Sequence, residues 1–166
     1  GEKGPTGVSA WSRTEIYSRP FRVLQFDTVT CGTSETSNHP YVLTVICCFS
    51  RWCWLVPLRK KDAPSIAKAL LVRVFADLAM FPTVLRSDNA GEFIGEVMQQ
   101  LNKMLNIRHI TSSTYHPQSQ GMVESMHKTL NQVVRGLVGE RPKDWEEMIP
   151  FAQCILRTSP MKDLEW

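Results

Sequence analysis

The chain has 166 residues, enough for one domain with a real core and too few for two full ones. A composition of 43% hydrophobic and 21% charged residues is that of a globular chain and excludes a disordered one. Nineteen basic against 16 acidic side chains leave a formal net charge of +3, compatible with a polyanionic partner without establishing one.

Residues 1–19 mix Gly, Ser, Thr, Pro and Arg, and form a lead-in without a periodic face. A first strand is predicted from Phe21 to Thr30, with Val23, Gln25, Asp27 and Val29 on one side and Arg22, Leu24, Phe26 and Thr28 on the other. After turn-rich residues 32–40, Tyr41 to Phe49 is nearly continuously apolar, as a central strand covered on both faces would be. Trp52 to Leu58 returns after a short connection at Ser50-Arg51, which predicts antiparallel neighbours. A helix follows from Asp62, with Pro64 in its first turn and Ile66, Leu70, Val74 and Leu78 as a stripe at i+4 spacing, widened by Ala67, Leu71 and Phe75. Thr83 to Arg86 is a short strand, and a second helix buries Phe93, Val97, Leu101 and Leu105. Ile107 to Ile110 makes a fifth strand, and the polar run from Thr111 to Gln120, with Pro117, reads as a loop.

A long helix is expected from about Gly121, burying Val123, Met126, Leu130 and Val134, with Glu124, Lys128 and Arg135 facing elsewhere. A last helix from about Pro142 to Arg157 uses Trp145, Ile149, Ala152 and Leu156, with Pro150 expected to bend or split it. This order of elements belongs to an α/β architecture, a five-stranded mixed sheet flanked by helices.

Five cysteines, Cys31, Cys47, Cys48, Cys53 and Cys154, are odd in number and irregularly spaced, which argues against a disulfide framework and against a structural zinc knuckle. Cys47 and Cys48 fall in an apolar run and read as buried thiols, pointing to an intracellular, reducing environment. No stretch of about 20 apolar residues is present, so no membrane partner is expected.

Three carboxylates stand out by context. Asp27 lies inside an apolar strand, where an ionised group needs a cation or donors. Asp88 follows a short strand at its carboxyl end, where open α/β sheets place their chemistry. Glu124 is expected in the first turn of the long helix, in the field of its N-terminus. Singly, each has a structural explanation: Asp27 paired with an Arg, Asp88-Asn89 as a turn, Glu124 as a first-turn stabiliser. Together, hard oxygen ligands from a strand, a strand end and a helix are what magnesium requires, since three close carboxylates repel unless a cation lies between them. Two such ions, roughly 4 Å apart, can activate an attacking oxygen and stabilise the leaving one in an in-line phosphoryl transfer.

The local words go further. Positions 89 through 123 set 35 residues between Asp88 and Glu124. Arg86-Ser87-Asp88-Asn89 with Gly91, Glu92 and Phe93, then His116-Pro117-Gln118-Ser119-Gln120-Gly121-Met122-Val123-Glu124, resemble the segments around the second aspartate and the glutamate of retroviral and LTR-retrotransposon integrase cores. Phe49-Ser50-Arg51-Trp52 and Pro57-Leu58-Arg59 are similar to that domain's second and third strands.

The resemblance runs over 20–160, leaving 1–19 as a linker and 161–166 as a tail. It implies an RNase H-like fold, with Asp27, Asp88 and Glu124 as catalytic residues and ligands of one or two Mg²⁺ or Mn²⁺ ions. It further implies 3′-end processing and strand transfer, with double-stranded element-end DNA and target DNA as partners. Assembly as a homodimer or larger, and a location in the nucleus or in a viral or virus-like particle, are implied as well. A zinc-binding N-terminal domain and a small basic C-terminal domain are not in the sequence, so it is expected to be a fragment or an excised core.

Lys128, by resemblance, is a contact to the element's DNA end. Arg135 and Asn131 extend a polar strip along the same helix, and Tyr115, His116, Gln118, Ser119 and Gln120 are placed near the cut, positioning phosphates rather than reading bases. Four departures from the family pattern are Ala90 before Gly91, Cys47 in place of an Asp, Met80 in place of a Gly, and His127 in place of an Asn. Glycine adopts turns that Ala90 and Met80 reach only at a cost. His127 is expected either to contact the metal site or DNA, or to be a plain surface histidine. These departures motivate the alternative of a domesticated core, catalytically weakened and kept as a DNA-binding or protein-interaction module.

Overall fold

Alternation in the first strand decides the layering. In the computed structural model, which describes residues 16–31, 39–87, 92–111, 118–140 and 145–158, the strand β1 is Val23–Thr30. Leu24 and Phe26 bury into one core, while Val23 and Val29 bury into the opposite face. The remaining strands, β2 (Tyr41–Cys47), β3 (Cys53–Leu58), β4 (Val84–Ser87) and β5 (Arg108–Thr111), complete a mixed sheet in the order β3-β2-β1-β4-β5. The pairs β1–β2 and β2–β3 are antiparallel, and β4 and β5 add in parallel. Register places Thr44 opposite Asp27 and Arg86 opposite Gln25. The turn between β2 and β3 falls where Ser50-Arg51 predicts it, with Arg51 in the left-handed region at φ 67°.

Helix α1 opens on Asp62, whose Oδ1 accepts from the Ser65 N–H at 2.9 Å, with Pro64 in the first turn. It runs as an α-helix over Ala63–Ala69, a π-helical segment over Leu70–Phe75 and a last turn over Ala76–Leu78. Ile66, Leu70, Val74 and Phe75 lie in the core, and Leu71 and Leu78 are partly buried against it. Ala79 ends the helix in the left-handed conformation at φ 54°. Together with α2 (Glu92–Leu105), α1 covers the Leu24–Phe26 face.

The other face is covered by α3 (Gln118–Glu140) and α4 (Trp145–Thr158). Leu130 and Val134 of α3 pack with Trp145, Ile149, Ala152 and Leu156 of α4 on Val29, Val42 and Leu55. Two expectations need correction. Helix α3 begins at Gln118 and not near Gly121, so Glu124 is in its second turn and not its first. The dipole contribution fades within the first turn and does not account for Glu124. Helix α4 is not split at Pro150 but runs as one helix across it, carried by the apolar face on either side. Of the tryptophans among the described residues, Trp54 and Trp145 are buried. Trp52 is half-exposed under the Arg157 guanidinium, 4.5 Å from its ring centre.

Candidate active site

Six polar or charged residues are buried among those described: Gln25, Thr44, Arg86, Ser87, His127 and Asn131. Burial of such groups is costly unless each finds partners, and five of the six find them between the sheet and α3. Gln25 and Asp27 point to that side of β1 because they alternate with Leu24 and Phe26. Thr44 joins them by register, and His127 and Asn131, one turn apart on α3, reach down from the helix.

Asp27 accepts the Asn131 Nδ2–H at 2.9 Å on Oδ2 and the Thr28 N–H at 2.8 Å on Oδ1. The Thr44 hydroxyl lies 2.9 Å from Asn131 Oδ1, 2.7 Å from His127 Nε2 and 3.3 Å from the Asp27 carbonyl oxygen. Gln25 Nε2 is 3.2 Å from His127 Nδ1. On β4, Val84 and Arg86 face the same way, and the fully buried Arg86 donates through Nη2 to Glu124 Oε1 at 2.9 Å and through Nη1 to Tyr17 Oη at 2.7 Å. Its guanidinium also lies over the Tyr17 ring. Asp27 and Glu124 are both partly exposed.

The residues singled out in the sequence separate into groups. Lys128 and Arg135 are on the exposed side of α3. His127 and Asn131 are not: 3% and 7% exposed, they turn their polar atoms into the interior, because hydrogen-bonding partners wait there on β1 and β2. The polar strip is therefore divided, and His127 is no surface histidine. Gln118, Ser119 and Gln120 form the first turn of α3 by their backbone, with side chains outside the described set. Asp88, Ala90, Tyr115 and His116 lie outside the described residues. Among those described, no three His, Cys, Asp or Glu side chains gather as a metal set.

The donors that remain fit a hard cation. Asp27 and Glu124 offer carboxylate oxygens, both nitrogens of His127 are engaged, and Cys47 and Cys48 are buried. Such a set suits Mg²⁺ or Mn²⁺ rather than zinc. A groove of about 400 Å³ between β3 and α1, rimmed by Arg59, Lys60, Lys68 and Arg73, shares no residue with this site.

Ser87, the last residue of β4, contacts His109 Nε2 through its hydroxyl at 2.7 Å. Burial holds His109 below its ordinary value of 6.5, so the folded chain binds its proton later than the unfolded one. Stability from this group is complete above pH 6.5 and is lost as pH falls through the folded value. Urea midpoints measured from pH 7.5 down to 5.5 should show that decline in the wild type and a shallower one in H109Q. Equal slopes would exclude His109 as its source.

Comparison with known proteins agrees with the fold. A model of the integrase core domain family matches residues 17–117, which include Asp27 and Asp88. The retrovirus-related Pol polyprotein of transposon 412 from Drosophila melanogaster is 28% identical over 149 residues, 89% of this chain. The Gag-Pol polyprotein of baboon endogenous virus (strain M7) is 32% identical over 158 residues, 95% of this chain. The chain spans only 12% and 9% of the length of those two polyproteins. Among solved structures, the catalytic core domain of BIV integrase superposes with a TM-score of 0.62 at 21% identity, covering 84% of this chain and 86% of that one. The HTLV-2 integrase catalytic core domain, a dimeric form in complex with magnesium, superposes at 0.60 and 17% identity, covering 85% and 89%. These two likenesses show the fold, which is RNase H-like.

Proposed function

The chain belongs to the integrase core domain family, and from that premise we propose that it is a metal-dependent polynucleotidyl transferase that processes the 3′ ends of element DNA and joins them to target DNA. The observation that carries the reading is the polar interior between the sheet and α3. Five buried polar side chains are gathered there, and they end on two partly exposed carboxylates, Asp27 and Glu124. A core does not collect hydrogen-bonding groups at such cost without using them.

Asp27, Asp88 and Glu124 would hold one or two Mg²⁺ or Mn²⁺ ions. Bound there, the metal supplies an activated attacking oxygen and charge stabilisation at the scissile phosphate. The protein's own part is to fix the carboxylates and to hold the DNA. Asn131 and the Thr28 amide orient Asp27, and Arg86 restrains one oxygen of Glu124. Lys128 and Arg135, exposed on the helix that carries Glu124, would hold DNA phosphates. Tyr115, His116, Gln118, Ser119 and Gln120 would flank the cut strand. His127 and Asn131 are assigned no DNA contact, since both are buried.

The same reading takes 20–160 as the working core and a homodimer or larger assembly as the active form, supported by the dimeric HTLV-2 core. The Pol and Gag-Pol relatives favour a viral or virus-like particle, or the nucleus, as its place of action. No described helix is long and apolar enough to cross a membrane.

The test is disintegration of a branched DNA substrate by the 166-residue chain. Strand rejoining is expected to start on addition of Mn²⁺ or Mg²⁺ and to stop on chelation. Binding of the branched DNA with no metal-dependent rejoining would overturn the catalytic reading and favour a DNA-binding module.

A further inference from the structure

An ionised carboxylate can only accept hydrogen bonds, and this fixes the orientation of the Asn131 amide behind Asp27. Asn131 must present its Nδ2–H to Asp27 Oδ2, so its Oδ1 faces the Thr44 hydroxyl. Thr44 has one hydrogen. If that hydrogen goes to Asn131 Oδ1, the Thr44 oxygen is left to accept at 2.7 Å from His127, which must then carry its proton on Nε2. His127 Nδ1 is thereby an acceptor, and Gln25 Nε2–H lies 3.2 Å from it. The opposite tautomer would take the Thr44 hydrogen for His127 Nε2 and remove the Thr44 donor from Asn131 Oδ1, so the amide would be held at Asp27 by its Nδ2–H alone.

We propose that Gln25, His127, Thr44 and Asn131 form a one-way hydrogen-bond relay that locks the Asp27 carboxylate in the orientation required for the divalent metal, with His127 held as the neutral Nε2–H tautomer. The proposal rests on the metal-dependent reading of the site. Each of the four is a positioning residue that acts through the next, and the relay ends on Asp27, one of the three carboxylates that would hold the metal. The relay spans three elements, β1, β2 and α3, so it also ties the helix carrying Glu124 to the strand carrying Asp27. Members are buried, between 0% and 7% exposed, so water does not compete for these bonds. Partners that orient a metal ligand change metal affinity about 10- to 100-fold when removed.

Two measurements on the whole chain test it. Histidine-selective ¹⁵N NMR, with four histidines to assign, reads the tautomer in the absence of metal. The expected spectrum gives His127 a protonated, exchange-protected Nε2 and an unprotonated Nδ1, unchanged in T44S and deprotected in T44V. Free Mn²⁺, followed by electron paramagnetic resonance, reads the consequence: the half-saturating concentration should rise by about 10-fold or more in T44V and N131L and stay near wild type in T44S.

A structural role alone would lower the melting temperature of T44V and N131L without moving the Mn²⁺ midpoint, and that result overturns the proposal. So does an Nδ1–H or doubly protonated His127 at neutral pH, or a T44S that behaves as T44V. Failure of the wild type to take up Mn²⁺, with the Nε2–H signature intact in T44S and lost in T44V, would count against the proposed function while supporting the relay.

Discussion

Chains carrying Asp27→Asn or Glu124→Gln are expected to lose metal-dependent rejoining of branched DNA by at least about a thousandfold, roughly 4 kcal/mol of transition-state stabilisation. Each substitution keeps shape and removes one negative charge. The loss follows, on the proposed function, because a neutral amide oxygen is a poor ligand for a hard dication and Asp27, Asp88 and Glu124 together would offset its charge. The fold should survive both changes. Asn at position 27 can still accept the Asn131 Nδ2–H through its carbonyl oxygen, and Gln at position 124 can still accept from Arg86 Nη2. Circular dichroism melting beside the disintegration assay separates lost chemistry from lost structure. Wild-type rates in both variants would remove Asp27 and Glu124 from the reaction.

Much of this site is legible in the amino-acid sequence, and the limits have physical causes. Period-two alternation places Asp27 with Gln25 and Val29, and that face is the one α3 covers. The start of α3 is less legible: Gln118, Ser119 and Gln120 after Pro117 have loop composition, yet the backbone is already helical there because proline readily precedes or begins a helix. Asn131 reads as part of an exposed polar strip, and His127 as a contact to the metal site or DNA or as a surface histidine, since helical spacing alone sets them beside Lys128. Their burial depends on what stands across from them, and that depends on the β1–β2 register, a contact between distant parts of the chain.

Arg86 is the instructive omission. The alternation Val84-x-Arg86 on a central strand puts a guanidinium on a buried face, and a buried cation demands an anion. The pairing considered for Asp27, with a nearby Arg, is realised instead at Glu124, while Asp27 is served by an uncharged amide. Ser87 with His109 follows the same logic on the neighbouring strand: two polar residues on short strands, silent singly, become partners through the parallel β4–β5 register.

The Arg86–Glu124 pair should respond asymmetrically to being broken. Removing the carboxylate in E124A takes the Glu124 oxygen away from a guanidinium that is 0% exposed, and losing one partner of a buried pair costs on the order of 3 kcal/mol. Removing the cation in R86M leaves a carboxylate whose side chain is 28% exposed and can hydrate, so the cost is expected to be smaller. Methionine keeps much of the packing volume but gives up the hydrogen bond to the Tyr17 hydroxyl, which sets a floor on that cost. The decisive measurement is the double variant R86M/E124A in urea unfolding, with the slopes checked for constancy. If the penalty in E124A is the stranded charge, removing that charge must restore stability, and the double variant will be more stable than E124A alone. A double variant less stable than E124A, by the full cost of R86M, would mean that the two side chains contribute independently and that Arg86 is held by its packing on Tyr17 and not by Glu124.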